Sequence, residues 1–420
     1  MTIILITAIM TIIAVMIVLN FSTGEKKIEH RLERLYGIHD SAFARAMGVL
    51  LGPAIVGGNR VEVLINGDRI FPAMLAAIRG ATTSINFESF IYWSGTTGEA
   101  FAEALVERAR AGVKVHLLVD WLGSNKMEKK LLETMKEGGV QIQRFHQPHW
   151  HNLARLNNRT HRKVLVVDGS IGFTGGVGIS DQWTGNAQDP AHWRDTHFKV
   201  EGPVVAQMQS VFLDNWIKAT GVVLHGNDYF PELVPVGPIA AQMFSSSPSG
   251  GSESMHLMYM LAITAAEKSI LLSSAYFVPD ELTLQTLVAA LKRGVDVQII
   301  TPGKYIDTET VRRASRAVWG DLLAAGAKIY EYAPTMYHCK VMIVDELMVS
   351  AGSTNFDTRS FNLNDEANLN IYDAVFARQQ VAIFRDDLAH SRQITLQQWR
   401  QRPWTEKLWE HAAAVMRSQL

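Results

Sequence analysis

One short pattern occurs twice in this chain: His161-Arg-Lys163-Val-Leu-Val-Val-Asp168 and His338-Cys-Lys340-Val-Met-Ile-Val-Asp345. Each copy closes a longer series of matching segments. Ala81-Thr-Thr-Ser-Ile is answered by Ala266-Glu-Lys-Ser-Ile, Arg-Ala-Gly112-Val-Lys-Val by Lys-Arg-Gly294-Val-Asp-Val, and Gly139-Val-Gln-Ile by Gly326-Ala-Lys-Ile. Matches in one order at nearly constant separation mark a duplicated domain. The chain is thereby restricted to folds in which two copies of one unit pack together, and 420 residues suffice for two such units.

Within each copy, short runs rich in Val, Ile and Phe alternate with helical patterns. Strands are expected over 61–65, 84–90, 113–119 and 140–145, with helices over 71–80 and 99–111. The second copy repeats this with strands over 269–277, 295–301 and 328–332 and a helix over 282–293. Such alternation predicts an α/β fold of two tandem α/β/α sandwich domains, each with a largely parallel sheet covered by helices on both faces. A pseudo-twofold relation between them would bring both motifs to one cleft. The Ser- and Gly-rich stretch 245–254 reads as a linker or lid.

Residues 1–21 carry no charged side chain, and about 20 helical residues span roughly 30 Å of hydrocarbon. This segment reads as a transmembrane anchor rather than a cleaved signal, since a basic start and a small-x-small cleavage site are not evident. Lys26, Lys27, Arg31 and Arg34 follow it, so the positive-inside rule places the body in the cytoplasm. Ile28, Leu32 and Leu35 recur at helical spacing, as in an amphipathic helix lying on the bilayer or on the protein's own surface. The expected organisation is an anchor over 1–24, a juxtamembrane segment over 25–58, a first domain over 59–225 and a second over 226–420 ending in a helix.

In both motifs the residues after the histidine alternate as in a strand, so His161 and Lys163, like His338 and Lys340, project from one face. An imidazole can attack phosphorus while a neighbouring ammonium holds a non-bridging oxygen, and a second copy supplies a general acid. This chemistry requires no metal and no cofactor. Asp195 and Glu366 lie downstream of the respective motifs and are the candidates to accept from the far ring nitrogen, fixing the tautomer. Asp168 and Asp345 end the strands and are expected to be structural, fixing a turn or a backbone amide.

The paired motifs, trailed by Gly175-Gly176 and by Gly352-Ser353-Thr354-Asn355, resemble the phospholipase D superfamily, and the wider pattern resembles its bacterial cardiolipin synthase branch. The supporting segments are Glu88-Ser-Phe-Ile-Tyr, Trp193-Arg-Asp-Thr-His, Glu201-Gly-Pro-Val-Val, Tyr276-Phe-Val-Pro-Asp and Arg359-Ser-Phe-Asn-Leu-Asn-Asp-Glu, within about 59–402. The resemblance implies ping-pong phosphatidyl transfer: His161 as nucleophile forming a phosphohistidine, His338 as acid and then base, and phosphatidylglycerol as donor. A second phospholipid's headgroup hydroxyl would accept, and glycerol would leave. It also implies phosphate contacts from Asn355, Ser353, Gly175 and Gly176. The position matching Asn355 in the first half is Gly178, a departure that makes the expected pocket asymmetric.

Other readings remain at this point. Hydrolysis to phosphatidic acid would use the same residues with water as acceptor. A nuclease would want a basic groove with stacking aromatics, whereas the net charge is −1; no nucleic-acid partner is expected. A lipid-binding scaffold would tolerate loss of a motif residue. His146, His149 and His151 cluster without carboxylates or thiols and read as loop residues rather than a metal site. Trp193 reads as packing, Trp399, Trp404 and Trp409 as a helix docked on the second domain or resting at a membrane interface, and Cys339 as a core residue without a redox role.

Overall fold

Each motif opens a strand whose five residues are all buried, Lys163–Val167 and Lys340–Val344. Their period of two divides the apolar side chains between two interiors. Leu165 and Val167 enter the first half's own core and Met342 and Val344 the second half's. Val164, Val166, Val341 and Ile343 meet in a third core shared by both halves. At ~1.5–3 kcal/mol for each fully buried side chain, this central layer holds the halves together.

The computed structural model describes residues 2–21, 28–147, 157–248 and 254–417. The first-half strands are β1 (Val56–Ile65), β2 (Ser84–Ser89), β3 (Lys114–Asp120), β4 (Gln141–Phe145), β5 (Arg159–Thr160), β6 (Lys163–Val167), β7 (Ile171–Gly175) and β8 (Thr196–Glu201). Those of the second half are β9 (Ile239–Ser246), β10 (Ser269–Ser274), β11 (Phe277–Val278), β12 (Asp296–Pro302), β13 (Lys328–Tyr332), β14 (Lys340–Val344), β15 (Met348–Gly352), β16 (Phe356–Asp357), β17 (Asn364–Tyr372) and β18 (Ser391–Ile394).

One continuous sheet runs β18-β13-β12-β10-β14-β15-β17-β9-β1-β8-β7-β6-β2-β3-β4. Read inward, β4-β3-β2-β6-β7-β8-β1 repeats β13-β12-β10-β14-β15-β17-β9, and the copies join where β1 pairs antiparallel with β9. The sheet is mixed, which corrects the expectation of a largely parallel one. Along that order β2/β3, β3/β4, β10/β12 and β12/β13 pair in parallel and the other neighbours antiparallel, while β5, off the path, pairs in parallel with β17. The reason is local: β6 and β7, like β14 and β15, are joined by three-residue turns, too short for a parallel crossover. Helices 204–220 and 374–389 cover the shared core, while helices 67–79, 96–110 and 281–292 cover the outer cores.

Thr2–Phe21 is a 20-residue α-helix; the side chains of 2–3, 12–13 and 16–21 lie outside the described residues. Among the described residues no helix is long and apolar enough to cross a membrane. The expected amphipathic helix through Ile28, Leu32 and Leu35 is not formed. Residues 28–40 are irregular, and the helix begins at Ser41, capped by the Asp40 carboxylate on the Ala42 amide. Packing explains the difference: Leu32 and Tyr36 rest on the second half's core, Arg34 pairs with Glu267 at 2.7 Å, and the Ile38 amide donates to the Ala265 carbonyl. Of the expected linker, Ser245 and Ser246 belong to β9 and 249–253 lie outside the described residues. The C-terminal helix Trp404–Val415 docks on helix Glu309–Ala317, fastened by Arg402 and Arg316 to Glu410. Trp399 packs on the core and donates to the Arg316 carbonyl, whereas Trp404 and Trp409 are exposed.

Candidate active site

The two halves exchange backbone hydrogen bonds at the motifs. Strand β5 pairs in parallel with Asn364 and Asp365 at the start of β17, and the His161 amide donates to the Asp365 carbonyl at 2.9 Å. In the mirror crossing Arg194 bridges to Tyr337, and the His338 amide donates to the Arg194 carbonyl at 2.8 Å. Each motif histidine is thereby tied to the residue just before the other half's carboxylate.

The side chains follow the backbone. His161 Nδ1 lies 3.0 and 3.1 Å from the two oxygens of Glu366, and His338 Nδ1 lies 2.8 Å from Asp195 Oδ2. A carboxylate can only accept, so each Nδ1 carries the proton and each Nε2 keeps its lone pair. Both carboxylates are fully buried and held in turn. Glu366 accepts from the Ser353 hydroxyl and from Asn364 Nδ2 at 3.2 Å. Asp195 accepts from the Trp183 indole at 3.0 Å and from the Thr196 amide at 2.8 Å. Lys163 Nζ donates to the His161 carbonyl and Lys340 Nζ to the His338 carbonyl, both at 2.8 Å. Lys340 Nζ also lies 3.1 and 3.2 Å from the ring nitrogens of His338.

Burial, reinforced by Lys163 and Lys340 against the pull of Glu366, pushes the His161 imidazole down to about 4. Burial and then Lys340 push His338 down to about 3 against Asp195. Both rings are neutral near pH 7. Burial pushes Glu366 and Asp195 up, but the facing histidines and lysines outweigh it and leave both carboxyls below their ordinary range. Burial and the neighbouring Lys340 charge lower the Lys163 ammonium to about 7. Two neutral imidazoles beside two crowded ammonium groups form a site that gains stability when an anion enters.

Both rings open into one cavity of about 310 Å³, which Lys163, Asn355, Arg159 and Arg359 also line. A larger cavity of about 640 Å³, by Arg194 and Asp387, receives neither histidine. Phe90 packs edge-on against His161, while Trp183 and Trp193 pack around His338. Three of the expected phosphate contacts lie elsewhere. The Ser353 hydroxyl is committed to Glu366. Gly175 lies against Thr196 and His197, and Gly176 stands behind Asp195, where a Cβ would meet that carboxylate at 2.2 Å. Gly176 occupies the place of Ser353, and the Trp183 indole supplies the donor that a hydroxyl there would have given. A Cβ at Gly178 would meet Ile91 at 2.8 Å, so the first half has no room for a counterpart of Asn355. Asn355 lines the cavity with its Oδ1 buried and unpartnered among the described residues.

Asp168 and Asp345 lie at the far ends of the motif strands with φ of 51° and 52°. Asp168 accepts from the amides of Thr82, Thr83 and Ser84, and Asp345 from those of Glu267, Lys268 and Ser269. Each thereby welds its motif strand to the strand beside it. Between each His and Lys, Arg162 and Cys339 point the opposite way and are buried. Arg162 donates to the carbonyls of Val211 and Ser246, and burial pushes the Cys339 thiol up to about 12. The sequence reading missed Arg162, the Trp183 donor and the cavity arginines. Of these Arg162 and Arg359 stood in segments already singled out.

His149 and His151 lie outside the described residues, and His146 Nε2 is 3.4 Å from Asp365 Oδ2. Among the described residues, His39, Glu267 and Asp345 are grouped closely enough to hold an ion. None lines the cavity, and Asp345 is occupied by its three amides.

Residues 74–216 and 259–388 match the family model described as cardiolipin synthase, PLD-like domain. A cardiolipin synthase of Geobacillus kaustophilus is 35% identical over 361 residues, covering 85% of this chain and 72% of the relative. The major cardiolipin synthase ClsA of Bacillus subtilis is 34% identical over 361 residues, covering 85% and 75%. Among solved structures, the phosphatidylserine synthase of Haemophilus influenzae superposes with a TM-score of 0.70 over 91% of this chain and 100% of that one, at 14% identity. That last likeness is one of fold.

Proposed function

The chain belongs to the cardiolipin synthase family of phospholipase D-like proteins, and on that premise we propose the following course for its phosphatidyl transfer. The protein is a phosphatidyltransferase of the phospholipase D superfamily. The observation that carries the mechanism is that His161 and His338 open into one cavity, each oriented by the other half's carboxylate.

The donor is phosphatidylglycerol, its phosphodiester lying between the imidazoles with Lys163 and Lys340 neutralising the non-bridging oxygens. His161 Nε2 attacks phosphorus, and as the N–P bond forms the P–O bond to glycerol breaks. His338 supplies the proton that leaves with glycerol. The phosphate's charge is what raises His338 from its depressed state enough to carry that proton. A second phospholipid then enters, its headgroup hydroxyl loses a proton to His338, and its oxygen displaces His161 from phosphorus. Glu366 stabilises the charge that develops on His161, and Asp195 that on His338. Asn355 completes the phosphate's surroundings.

The finer organisation is part of the same proposal. Two tandem α/β/α sandwich domains, 59–225 and 226–420, are related by pseudo-twofold symmetry. Residues 1–24 anchor the chain by one pass in the bacterial inner membrane, supported by a charge-free run followed by Lys26, Lys27, Arg31 and Arg34, with the body on the cytoplasmic side.

The test is to incubate the purified full chain with phosphatidylglycerol vesicles in chelator and identify products by mass spectrometry. Cardiolipin with equimolar glycerol is expected. Phosphatidic acid as the sole lipid product would make the protein a hydrolase.

A further inference from the structure

Transfer to a second phospholipid brings two phosphates to one cavity, since the acceptor carries a phosphodiester of its own, and the paired histidines and lysines are taken up by the one that reacts. We infer that Arg159 and Arg359 form a second anion subsite, which holds the phosphate of the acceptor lipid; this rests on the transfer reading above.

The two arginines come from opposite halves and line the same cavity as the histidines. Arg159 lies in β5 beside Asn364. It donates through Nη1 to the Asn158 carbonyl at 2.6 Å, while its Nε is buried without a partner among the described residues. Asp120 acts on it through space, but that carboxylate is taken up by the amides of Leu122, Gly123 and Thr160. Arg359 is held rigidly, donating to Asn157 Oδ1 at 3.0 Å and to the Asn157 carbonyl at 2.7 Å. After burial, Arg159 is the strongest influence depressing Arg359, so the two guanidinium groups repel one another within the cavity they both line.

The charges that weigh most on His161 are those of Glu366, Lys163 and Lys340, and Arg359 feels Glu366 as well, so the arginines lie beside the reacting cluster rather than within it. Asp357 also lines the cavity, but its carboxylate caps its own helix through the Ser360 amide at 2.7 Å. A phosphodiester between the two guanidinium groups relieves their repulsion and can accept charge-assisted N–H bonds from both arginines. Water and free glycerol offer no such group. The subsite therefore favours a phospholipid acceptor over hydrolysis.

The test uses full-length protein and phosphatidylglycerol vesicles containing labelled free glycerol, which separates two acceptors on one enzyme. Cardiolipin formation needs a phosphate-bearing acceptor, whereas exchange of label into phosphatidylglycerol does not. In Arg159→Gln and Arg359→Gln the ratio of cardiolipin formation to exchange is expected to fall at least about tenfold, the loss of a charge-assisted contact. Arg159→Lys and Arg359→Lys are expected to fall between these and the wild type. A wild-type ratio in the glutamine variants, or a parallel loss of both reactions in glutamine and lysine variants alike, would overturn the subsite. Absence of glycerol exchange in the unmodified protein would instead remove the transfer reading itself, and the subsite with it.

Discussion

His161 Nδ1 faces both oxygens of Glu366, at 3.0 and 3.1 Å, across 205 residues of sequence and from the opposite half of the molecule. His338 stands in the same relation to Asp195. Neither half alone contains an oriented imidazole, so duplication here does not give two sites. It gives one, assembled by exchange.

Because each carboxylate fixes a tautomer and balances a developing charge, Glu366→Gln and Asp195→Asn are expected to lower kcat for cardiolipin formation by about 10³–10⁴ with little change in KM. The double variant should be far less impaired than the product of the two losses, since both serve one reaction. Initial rates on vesicles, with circular dichroism confirming the fold, decide this. A loss confined to KM would contradict the assignment.

The asymmetry behind the histidines predicts that the halves cannot be made alike. Gly176→Ser, which copies Ser353, places a Cβ where the Asp195 carboxylate lies and is expected to cost at least about tenfold in kcat, as displacement of a positioned group does. Ser353→Ala removes one donor to Glu366 and should cost less. A Gly176→Ser enzyme of normal activity would show that Asp195 need not occupy its observed place.

The duplication, the motif faces and the alternating elements ahead of each motif were legible in the sequence because strand period and repeat register are written in local residue patterns, whereas the strands that follow each motif were not read. What was not legible depends on how the copies meet. The partner of His161 could have been either carboxylate, and only the cross-strand amides of His161 and His338 select the other half's. Ser353 reads like a phosphate ligand until its hydroxyl is seen on Glu366. The helix expected through Leu32 gave way to docking against the second half, where Arg34 meets Glu267. The mixed sheet follows from turns too short for crossovers, whose length could have been counted.

Besides the proton donor His338, two groups of the free enzyme should shape the pH dependence of activity. His161, held down to about 4, is a free nucleophile above that pH, and Lys163, lowered to about 7, carries its charge only below it. We therefore expect kcat/KM, which also carries the pH dependence of His338 as proton donor, to fall more steeply above pH 7, as the ammonium needed by the anionic donor is lost. In Lys163→Arg the cation persists, and the alkaline limb of the residual activity should move upward. An unchanged limb would assign it elsewhere, for instance to Lys340, which is also lowered.

Asp345 contributes stability rather than chemistry. Its carboxylate accepts three backbone amides at 2.7 Å, and Asp345→Ala leaves them unmatched at a cost of about 2–4 kcal/mol. Urea unfolding should show that loss while KM of the folded fraction is unchanged. A stable variant with raised KM would place Asp345 in substrate binding instead.

The central claim is that both histidines serve one phosphorus atom, and trapping the covalent intermediate tests it most directly. With phosphatidylglycerol labelled in its phosphate, His338→Ala quenched in neutral detergent should carry no more than one acid-labile phosphatidyl group per chain, on His161, and His161→Ala should carry none. Adducts on both histidines, or about half the normal activity surviving in each single variant, would contradict a shared centre.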